Sequence, residues 1–522
     1  MMVPLTPIRF LHRAVTLYPN KIGVVCGSKR FTYAKFGERA ERLASALVQQ
    51  GIQPGDRVAF LSFNNHQLLE GYYGVPQARA VVMPLNVRLT PAELTQILNH
   101  SGARMLFFET DFAPLVQSLR TDCPAIEQYV PLNDAYEDLL ARGQPRRADI
   151  FGIDENSIAE LFYTSGSTGV PKGVMLSHRT LYLHGFSVAA TFNHSDDEVE
   201  LHTIPLFHAN GWGRPQAAVL MGCKHVMVRR FEPTTVFRLI QEERATAMSL
   251  VPTMANALLN APDLRQYDFS SLKVIHIGGA ASSPELIERM EKAFPCTVVG
   301  GYGLTETTPV LTSARKKGTV TYRDDADRYR RQAMTGWPVP GVEIRVVDAD
   351  MNDVPRDMLA IGEVVVLGDH VMDGYFKDPE ATQAAMTGPW LHTGDMAVWD
   401  EEGYVLIVDR KKDIIISGGE NISSLEVEKA IFAHPAVFEC AVIAAPDDKW
   451  GEVPVAIVAL KESQSLTQEQ LLEFLQGRIA RFKMPRVIEF TRNPLPKTGT
   501  GKIVKRQLRE LFWAGKEKRV QG

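Results

Sequence analysis

Short β-branched runs alternate with amphipathic stretches in the first part of the chain. Arg57-Val58-Ala59-Phe60-Leu61 and Ala80-Val81-Val82-Met83 predict strands, and the stretch from Tyr33 to Gln50 predicts a helix. Strands that alternate with helices indicate βαβ units on a parallel sheet, here over residues 20–150. A second α/β sheet is predicted from the same alternation in segments 224–230, 234–244, 247–251, 284–294 and 297–300.

The pattern changes twice toward the carboxyl terminus. From Gly336 to Val408 helical periods become rare, and short strands separated by Pro, Gly and Asp predict a small β-barrel-like subdomain. Beyond Arg410–Asp413 the pattern predicts a smaller α+β domain, which includes a helix over 467–480. We therefore expect an N-terminal domain over 1–410, a hinge at 411–413 and a mobile C-terminal domain over 414–522.

Composition narrows the class of protein. With 522 residues, of which 45% are hydrophobic and 23% charged, the chain is expected to form at least two domains. A net charge of −4 gives no field that would attract nucleic acid or anionic lipid. The five dispersed cysteines fit a reducing cytoplasm, and we expect neither a signal peptide nor a membrane span.

The run from Tyr163 to Val174, with sequence YTSGSTGVPKGV, combines hydroxyl residues, glycines and one lysine behind an apolar segment. Glycine lets backbone N–H groups approach an anion, Ser and Thr add donors, and lysine adds a positive charge, so the run favours a phosphate cradle. It is not a Walker A loop, because Pro171 precedes Lys172 where that motif needs glycine. The alternative interpretation is an ordinary surface loop.

This run resembles the phosphate-binding signature of the adenylate-forming enzymes, which include acyl-CoA synthetases, luciferases and peptide-synthetase adenylation domains. Further segments follow in the family's order, so that the resemblance covers about residues 10–510. These segments are PLFHANGW from Pro205, IGGAA from Ile277, GGYGLTETTP from Gly300, WLHTGD from Trp390, RKKD from Arg410 with SGGEN from Ser417, and PKTGTGKI from Pro496.

The resemblance implies an ATP and AMP site. Tyr302 would stack on adenine, Asp395 and Arg410 would hold the ribose, and Glu306 with Ser167 would bind Mg²⁺. The implied catalytic residues are Lys172, His208, Thr305, Glu306 and Lys502. The implied nucleotide-binding residues are Thr164, Ser165, Gly166, Ser167, Thr168, Gly169, Lys172, Gly279, Ala280, Gly301, Tyr302, Gly303, Thr305, Asp395, Arg410 and Lys502.

The resemblance also implies an acyl pocket and a passage for CoA. His208, Trp212, Gly278 and Gly279 would line the pocket, with Trp212 either a swinging gate on a long tunnel or a fixed floor under a short one. Gly418, Gly419 and Trp450 would line the pantetheine passage, and Lys412 would be the hinge residue.

The implied activity is that of an ATP-dependent acid–CoA ligase, which forms an acyl-adenylate, then the thioester, and releases pyrophosphate and AMP. A stand-alone ligase is favoured because no carrier domain or phosphopantetheine site follows Lys502. The segments resemble medium- and long-chain fatty-acyl-CoA synthetases most, so the expected acid is aliphatic. The alternatives are a methylthiopropionate-type or aryl acid, and a non-catalytic nucleotide-binding relative.

The segment from Arg9 to Val15 resembles the part through which bacterial fatty-acyl-CoA synthetases dimerise. An amphipathic first helix packed on its own core is the alternative interpretation. A homodimer is therefore one of two expectations for this segment.

Overall fold

A computed structural model describes residues 2–164, 171–418, 420–447, 449–497 and 503–513. Its strands in chain order are β1 Ile22–Cys26, β2 Lys29–Thr32, β3 Arg57–Leu61, β4 Val81–Leu85, β5 Met105–Phe108, β6 Gln128–Pro131, β7 Ile158–Thr164, β8 Lys172–Ser177, β9 Val199–His202, β10 Lys224–Met227, β11 Ala247–Leu250, β12 Val274–Ile277, β13 Thr297–Gly303, β14 Val310–Ser313, β15 Trp337–Pro338, β16 Val342–Val347, β17 Gly362–Gly368, β18 Gly374–Tyr375, β19 Met386–Thr387, β20 Trp390–Trp399, β21 Val405–Arg410, β22 Ile415–Ser417, β23 Glu420–Ile422, β24 Val437–Asp447, β25 Gly451–Leu460 and β26 Val487–Thr491.

The right-handed α-helices among these residues are α1 Ile8–Leu17, α2 Tyr33–Gln49, α3 His66–Gln77, α4 Pro91–Ser101, α5 Ala113–Asp122, α6 Asp134–Arg142, α7 His178–Phe192, α8 Arg214–Met221, α9 Pro233–Glu243, α10 Pro252–Leu259, α11 Pro284–Ala293, α12 Asp325–Gln332, α13 Pro379–Ala384, α14 Ser424–Phe432, α15 Gln468–Leu475 and α16 Lys505–Trp513. None of the helices in the described ranges is long and apolar enough to cross a membrane.

Two large α/β sheets form the first part of the chain, as predicted. The seven-stranded sheet has the order β18-β8-β7-β4-β3-β5-β6, and its strands β3 to β7 run parallel. The nine-stranded sheet has the order β15-β14-β13-β12-β11-β9-β10-β1-β2, parallel in the middle and antiparallel at both edges. In open α/β sheets, the crevice beyond the carboxyl ends of the strands is the common place for an active site.

Two smaller sheets complete the fold. One has the order β16-β17-β20-β19, with β21 paired to β20, and corresponds to the predicted small β subdomain. The other has the order β23-β22-β25-β24, with β26 paired to β25, and its core includes buried residues of α14 and α15. The predicted fold class is therefore confirmed.

The apolar pattern of helix α2 determines which of its faces is buried. Thr32 begins the helix by accepting the Lys35 N–H with its side chain. Phe36, Leu43 and Leu47 recur at helical spacing on one face and are buried in the core beside the seven-stranded sheet. Burial of each such side chain contributes about 1.5–3 kcal/mol to folding.

Two helices bear on the sequence predictions. The apolar face of α1, including Phe10 and Leu11, is buried in the chain's own core, which favours the second interpretation of this segment. The homodimer stays a prediction. The helix predicted over 467–480 was too long, because α15 ends at Leu475 and Gly477 takes a left-handed conformation with φ of 72°.

The chain divides into two compact units. Unit 1 comprises Met1–Ile344, Val366–Leu391 and Glu402–Val405, and unit 2 comprises Arg345–Val365, His392–Glu401 and Leu406–Gly522.

Candidate active site

The two ends of the predicted phosphate loop are held together by paired strands. In the antiparallel ladder of β7 and β8, Thr164 lies opposite Lys172 and Tyr163 lies opposite Gly173. Both described ends of the run are therefore strand residues. The candidate phosphate-binding residues Ser165, Gly166, Ser167, Thr168 and Gly169 lie outside the described residues.

Tyr375 lies between the side chains of Lys172 and Glu306. Lys172 Nζ is 4.7 Å from the centre of the Tyr375 ring, where the ring face attracts a cation. The Tyr375 hydroxyl donates to Glu306 Oε1 at 3.0 Å. Burial, together with the nearby Glu306 carboxylate, raises the pKa of Tyr375, so the phenol remains a proton donor at neutral pH. One side chain thus links the candidate phosphate lysine to the candidate metal ligand.

Strand pairing brings Tyr375 to this position. β18 runs antiparallel to β8, with Tyr375 opposite Val174. The Tyr375 N–H donates to Thr382 Oγ1 at 2.8 Å, and Asp373 Oδ2 accepts the Ser177 N–H at 2.7 Å. Sequence reasoning missed Tyr375. The only available signal was the run Asp-Gly-Tyr-Phe, a turn followed by aromatic residues.

The candidate adenine and metal residues share one segment that begins in strand β13 of the nine-stranded sheet. Tyr302 lies near the end of β13, and Thr305 and Glu306 lie in the short 3₁₀ helix Thr305–Thr307 that follows. The Glu306 carbonyl accepts the Met372 N–H at 2.8 Å. The segment therefore fixes the backbone of Glu306 while its half-buried carboxylate contacts Tyr375.

The backbone of this segment is so close to neighbouring carbonyl groups that a side chain at Gly303 has no room. A Cβ on Gly303 would lie 1.7 Å from the Pro309 carbonyl oxygen, and one on Gly301 would lie 3.2 Å from the Thr312 carbonyl oxygen. The first distance excludes any larger residue. The glycines that the sequence places in the nucleotide site therefore also have a packing role.

The Trp212 indole lies against two of the candidate acyl-pocket glycines. A Cβ on Gly278 would lie 3.3 Å from Trp212 Cη2, and one on Gly279 would lie 3.5 Å from Cζ2. Gly279 and Ala280 are exposed in the loop after β12, and Trp212 is half-buried. The exposed His208 precedes Trp212. The structure thus places Trp212 beside both glycines.

A left-handed turn holds Trp212. Residues 209–213 have φ values of 44°, 44°, 60°, 62° and 69°. This conformation costs an L-residue about 1–2 kcal/mol, so other contacts must offset it. Asn210 Oδ1 accepts the Gly213 N–H at 2.6 Å, and a Cβ on Gly213 would lie 2.1 Å from His184 Cε1.

Glu160, a buried residue of β7, also holds the turn. Its carboxyl group accepts from Asn210 Nδ2 at 3.2 Å and from Gln216 Nε2 at 2.9 Å. Burial raises the pKa of Glu160 to about 8 despite these hydrogen bonds, so the group is mostly neutral at pH 7. Sequence reasoning missed Glu160, although an acidic residue inside an apolar strand is an unusual signal.

The candidate ribose residues form an ion pair within unit 2. Arg410 Nε lies 2.7 Å from Asp395 Oδ1, with the aspartate buried and the arginine exposed. The Asp395 N–H donates to Thr393 Oγ1 at 3.1 Å, and that hydroxyl donates to the Val364 carbonyl at 2.8 Å. A carboxylate fixed in this way is suited to accept hydrogen bonds from two vicinal hydroxyls.

The candidate CoA residues Gly418 and Trp450 are also in contact in unit 2. The Gly418 N–H donates to the Trp450 carbonyl at 2.8 Å, and a Cβ on Gly418, whose φ is 60°, would lie 2.6 Å from the indole. Trp450 is 40% exposed, which leaves indole surface for a ligand. Lys412 is exposed in a turn from Arg410 to Ile414. Gly419 and Lys502 lie outside the described residues.

The residues present fit a magnesium ion that is held partly by substrate. No group of three or more His, Cys, Asp or Glu side chains forms a metal site in the described ranges. Mg²⁺ is commonly bound through one or two carboxylates together with phosphate oxygens and water. The Glu306 carboxylate, which accepts from Tyr375 with Oε1, would be one such ligand.

Comparison with known proteins matches nearly the whole chain. Residues 11–376 match the family described as AMP-binding enzyme, and residues 426–502 match the AMP-binding enzyme C-terminal domain. The chain is 37% identical to a long-chain-fatty-acid–CoA ligase of Thermus thermophilus, over 96% of this chain and 95% of that one. It is 35% identical to a 3-methylmercaptopropionyl-CoA ligase of Ruegeria pomeroyi, over 93% and 92%.

A solved structure has the same fold. The anthranilate CoA ligase AuaEII in complex with anthranoyl-AMP superposes with a TM-score of 0.87 at 26% identity, over 98% of each chain. The relatives therefore act on acids that differ in length and chemistry.

Proposed function

Since the chain belongs to the AMP-binding enzyme family and is an AMP-forming acid–CoA ligase that works through an acyl-adenylate, we propose that its acid is aliphatic, of the fatty-acid type. The observation that carries this proposal is the Trp212 indole against Gly278 and Gly279, which offers an apolar wall to an acyl chain. Because the turn at 209–213 is anchored through Asn210, we propose that Trp212 acts as a floor that favours short to medium chains.

The acid specificity is tested with a panel of C3 to C16 acids, 3-methylthiopropionic, cinnamic and benzoic acids, assayed by pyrophosphate release with and without CoA. We expect the highest kcat/KM for short- to medium-chain aliphatic acids. An aromatic acid as the best substrate would contradict the proposal, and so would 3-methylthiopropionic acid. A reaction without added acid is the background control, because pyrophosphate released there does not come from activation of a panel acid.

Trp212→Ala is expected to shift the optimum toward longer acids. Removal of the indole opens space beside Gly278 and Gly279, and each methylene that gains a favourable site changes selectivity by about 1–3 kcal/mol. The measurement is kcat/KM for each acid of the panel. Phe151→Ala, which removes another exposed aromatic ring, is the control and should leave the profile unchanged. An unchanged profile in Trp212→Ala would argue that the floor lies elsewhere.

We propose that the site works mainly by positioning and charge neutralisation. Attack of the carboxylate on the α-phosphate brings two anions together, and Lys172, Lys502 and the N–H groups of the phosphate loop would offset their repulsion. Thr305 would hold the α-phosphate, Tyr302 the adenine, and Asp395 with Arg410 the ribose. Mg²⁺, held by Glu306 and Ser167, would neutralise phosphate charge when bound. His208 would contact the acyl group.

We also propose that residues 411–413 are the hinge of a C-terminal domain that begins at residue 414. Lys502 would serve adenylate formation and then leave, so that the CoA thiol enters past Gly418, Gly419 and Trp450. The ATP, acid and CoA of this scheme are the substrates of the family.

Lys412→Pro is expected to spare adenylate formation and to slow thioester formation, because proline fixes φ near −65° at the pivot. Lys412 is exposed, and the turn's hydrogen bonds are made by Asp413 and Ile414 to the Arg410 carbonyl, so proline removes none of them. The two half-reactions are measured separately by pyrophosphate release and by thioester formation from supplied acyl-adenylate. Lys412→Ala is the control. Equal losses in both half-reactions would contradict the hinge.

A further inference from the structure

A pocket of about 430 Å³ lies in unit 1, away from the candidate active site. It opens at the amino ends of three parallel strands, where Arg57, Val81 and Ile158 begin β3, β4 and β7. Thr164, which begins the phosphate loop, lies at the opposite end of β7. The volume is within the range of about 300–1,000 Å³ that is usual for small-molecule sites.

The walls of the pocket are mainly apolar. Ile153, Val81, Leu161 and Phe376 line it together with the ring of His178. His178 is buried and its Nδ1 is hydrogen-bonded to Thr6 Oγ1 at 2.9 Å. Burial lowers the pKa of His178 to about 4, so this ring is neutral at physiological pH. The walls therefore suit an apolar group.

Arg57 supplies a fixed positive charge at the mouth. Its guanidinium donates to the carbonyls of Ser101, Gly55 and Gly102 at 2.6, 2.8 and 2.9 Å. These bonds orient the group, but carbonyl oxygens do not neutralise its charge. Two of its five N–H donors remain for a ligand.

Arg79 supplies a second charge. Its side chain is exposed and lines the pocket, and its guanidinium has no hydrogen bond or ion pair with any residue that the structure describes. The one carboxylate at the rim, Asp154, accepts the Asn156 N–H at 3.0 Å. Asp149, outside the lining, is also close to Arg79, since a Cβ on Gly152 would lie 2.1 Å from Arg79 Nη2 and 3.5 Å from Asp149 Oδ2. The two arginines therefore supply forked donors at the mouth, while the interior is apolar.

We propose that this pocket is a second binding site for a monocarboxylate with an apolar body, such as a free aliphatic or aromatic acid. The carboxylate lies between Arg57 and Arg79, whose fork of donors matches two oxygens, and the apolar body packs against Leu161 and Phe376.

The position of Phe376 connects this pocket to the candidate active site. Phe376 follows Tyr375, and successive side chains of a strand point to opposite faces, so Phe376 lines the pocket while Tyr375 contacts Lys172 and Glu306. The Phe376 N–H donates to the Gly173 carbonyl at 2.7 Å, next to Lys172. An acid that moves Phe376 is therefore expected to change the apparent KM for ATP; this expectation, unlike the binding itself, rests on the proposed function.

Calorimetric titration of the full-length protein tests the binding, with a non-hydrolysable acyl-adenylate analogue present at saturation to block the adenylation site. Hexanoate and benzoate are the probes, and hexan-1-ol and hexylamine test the need for negative charge. We expect one saturable site for at least one of the two acids and none for the alcohol or amine. Lack of saturable binding by both acids would overturn the proposal, and so would equal binding of the alcohol.

Two variants locate the site. Arg79→Gln should weaken acid binding by roughly tenfold or more, because a charge-assisted hydrogen bond is lost. Ser157→Trp, at the exposed rim, should block the pocket. Arg88→Gln, which removes an exposed arginine outside the pocket, should bind like the wild type. Unchanged binding in both pocket variants would place the second acid elsewhere and overturn the assignment.

The same variants separate this inference from the proposed function. The substrate acid can also occupy the pocket, so pyrophosphate release is compared at saturating ATP, where it should be unchanged in Arg79→Gln because Arg79 lies outside the proposed catalytic machinery. Loss of acid binding with normal ligase activity supports the pocket. Normal acid binding in a wild-type protein with no ligase activity would refute the proposed function while leaving the pocket intact.

Discussion

Glu306→Gln is expected to slow adenylate formation by on the order of 10²–10³-fold, the effect of losing one preorganised electrostatic group. The substitution keeps the size of the side chain and removes its negative charge. The Tyr375 hydroxyl can still donate to the amide oxygen, and the Met372 N–H still bonds to the backbone carbonyl, so the fold should be preserved. The loss should therefore fall on metal and phosphate binding.

The rate of adenylate formation and the Mg²⁺ dependence of ATP binding together distinguish this role from a structural one. Calorimetric binding of ATP at increasing Mg²⁺ should show a weaker dependence on the metal in Glu306→Gln than in the wild type. Glu288→Gln, which removes a carboxylate from an exposed pair with Lys292, is the control and should change neither quantity. An unchanged Mg²⁺ dependence together with normal adenylation would exclude Glu306 as the metal ligand.

Tyr375 provides a graded companion to this variant. Tyr375→Phe removes the hydroxyl that donates to Glu306 and keeps the ring under Lys172, so we expect a smaller loss than for Glu306→Gln, roughly 10–100-fold, the effect of a hydrogen bond to a charged group. Because Tyr375 acts through its neighbours, the loss should appear in the KM for ATP and in the Mg²⁺ dependence. A smaller amount of folded protein would by itself change neither the KM for ATP nor the Mg²⁺ dependence.

Lys502→Ala is expected to slow adenylate formation by on the order of 10²–10³-fold while sparing thioester formation from supplied acyl-adenylate. Lys502 lies outside the described residues, but the residues on either side are fixed. Lys497 lies opposite Ile503 in an antiparallel bridge, and the Val504 N–H donates to the Pro496 carbonyl at 2.8 Å. The short segment that carries Lys502 thus begins and ends at one place in unit 2.

The control variant for Lys502→Ala is Arg506→Ala, in the following helix α16. Arg506 is exposed and pairs with Glu510 at 2.9 Å within α16, so Arg506→Ala removes a nearby positive charge with little expected effect. Single-turnover pyrophosphate release and thioester formation are measured for both variants. A normal pyrophosphate burst in Lys502→Ala would refute its role, and a parallel loss in Arg506→Ala would indicate a general charge effect.

The sequence predicted what depends on residue type and local period. The strands from Arg57 and the helix from Tyr33 follow from apolar spacing, whereas the roles of Glu306, Asp395 and Lys502 are implied by the resemblance of their runs to the family. The helix at 467–480 was predicted too long because apolar periodicity continues past Gln476, whereas the left-handed Gly477 ends it.

What the sequence could not predict depends on contacts between distant segments. Tyr375 reaches Lys172 only because β18 pairs with β8, and no local pattern specifies that pairing. The left-handed turn at Trp212 includes Ala209, a residue type that rarely takes positive φ. Glu160, which lies elsewhere in the chain, accepts a hydrogen bond from the turn, and the His184 ring leaves no room for a side chain at Gly213.

The pairing of Thr164 with Lys172 has a consequence for how this family can diversify. Because the ladder of β7 and β8 sets the backbone position of Lys172, that position depends on strand pairing and not on the candidate phosphate-binding residues between the two strands. A segment exchanged from a relative would therefore be held by the same two strands. The position of the Lys172 charge and the sequence of the adjoining segment can therefore change independently in evolution.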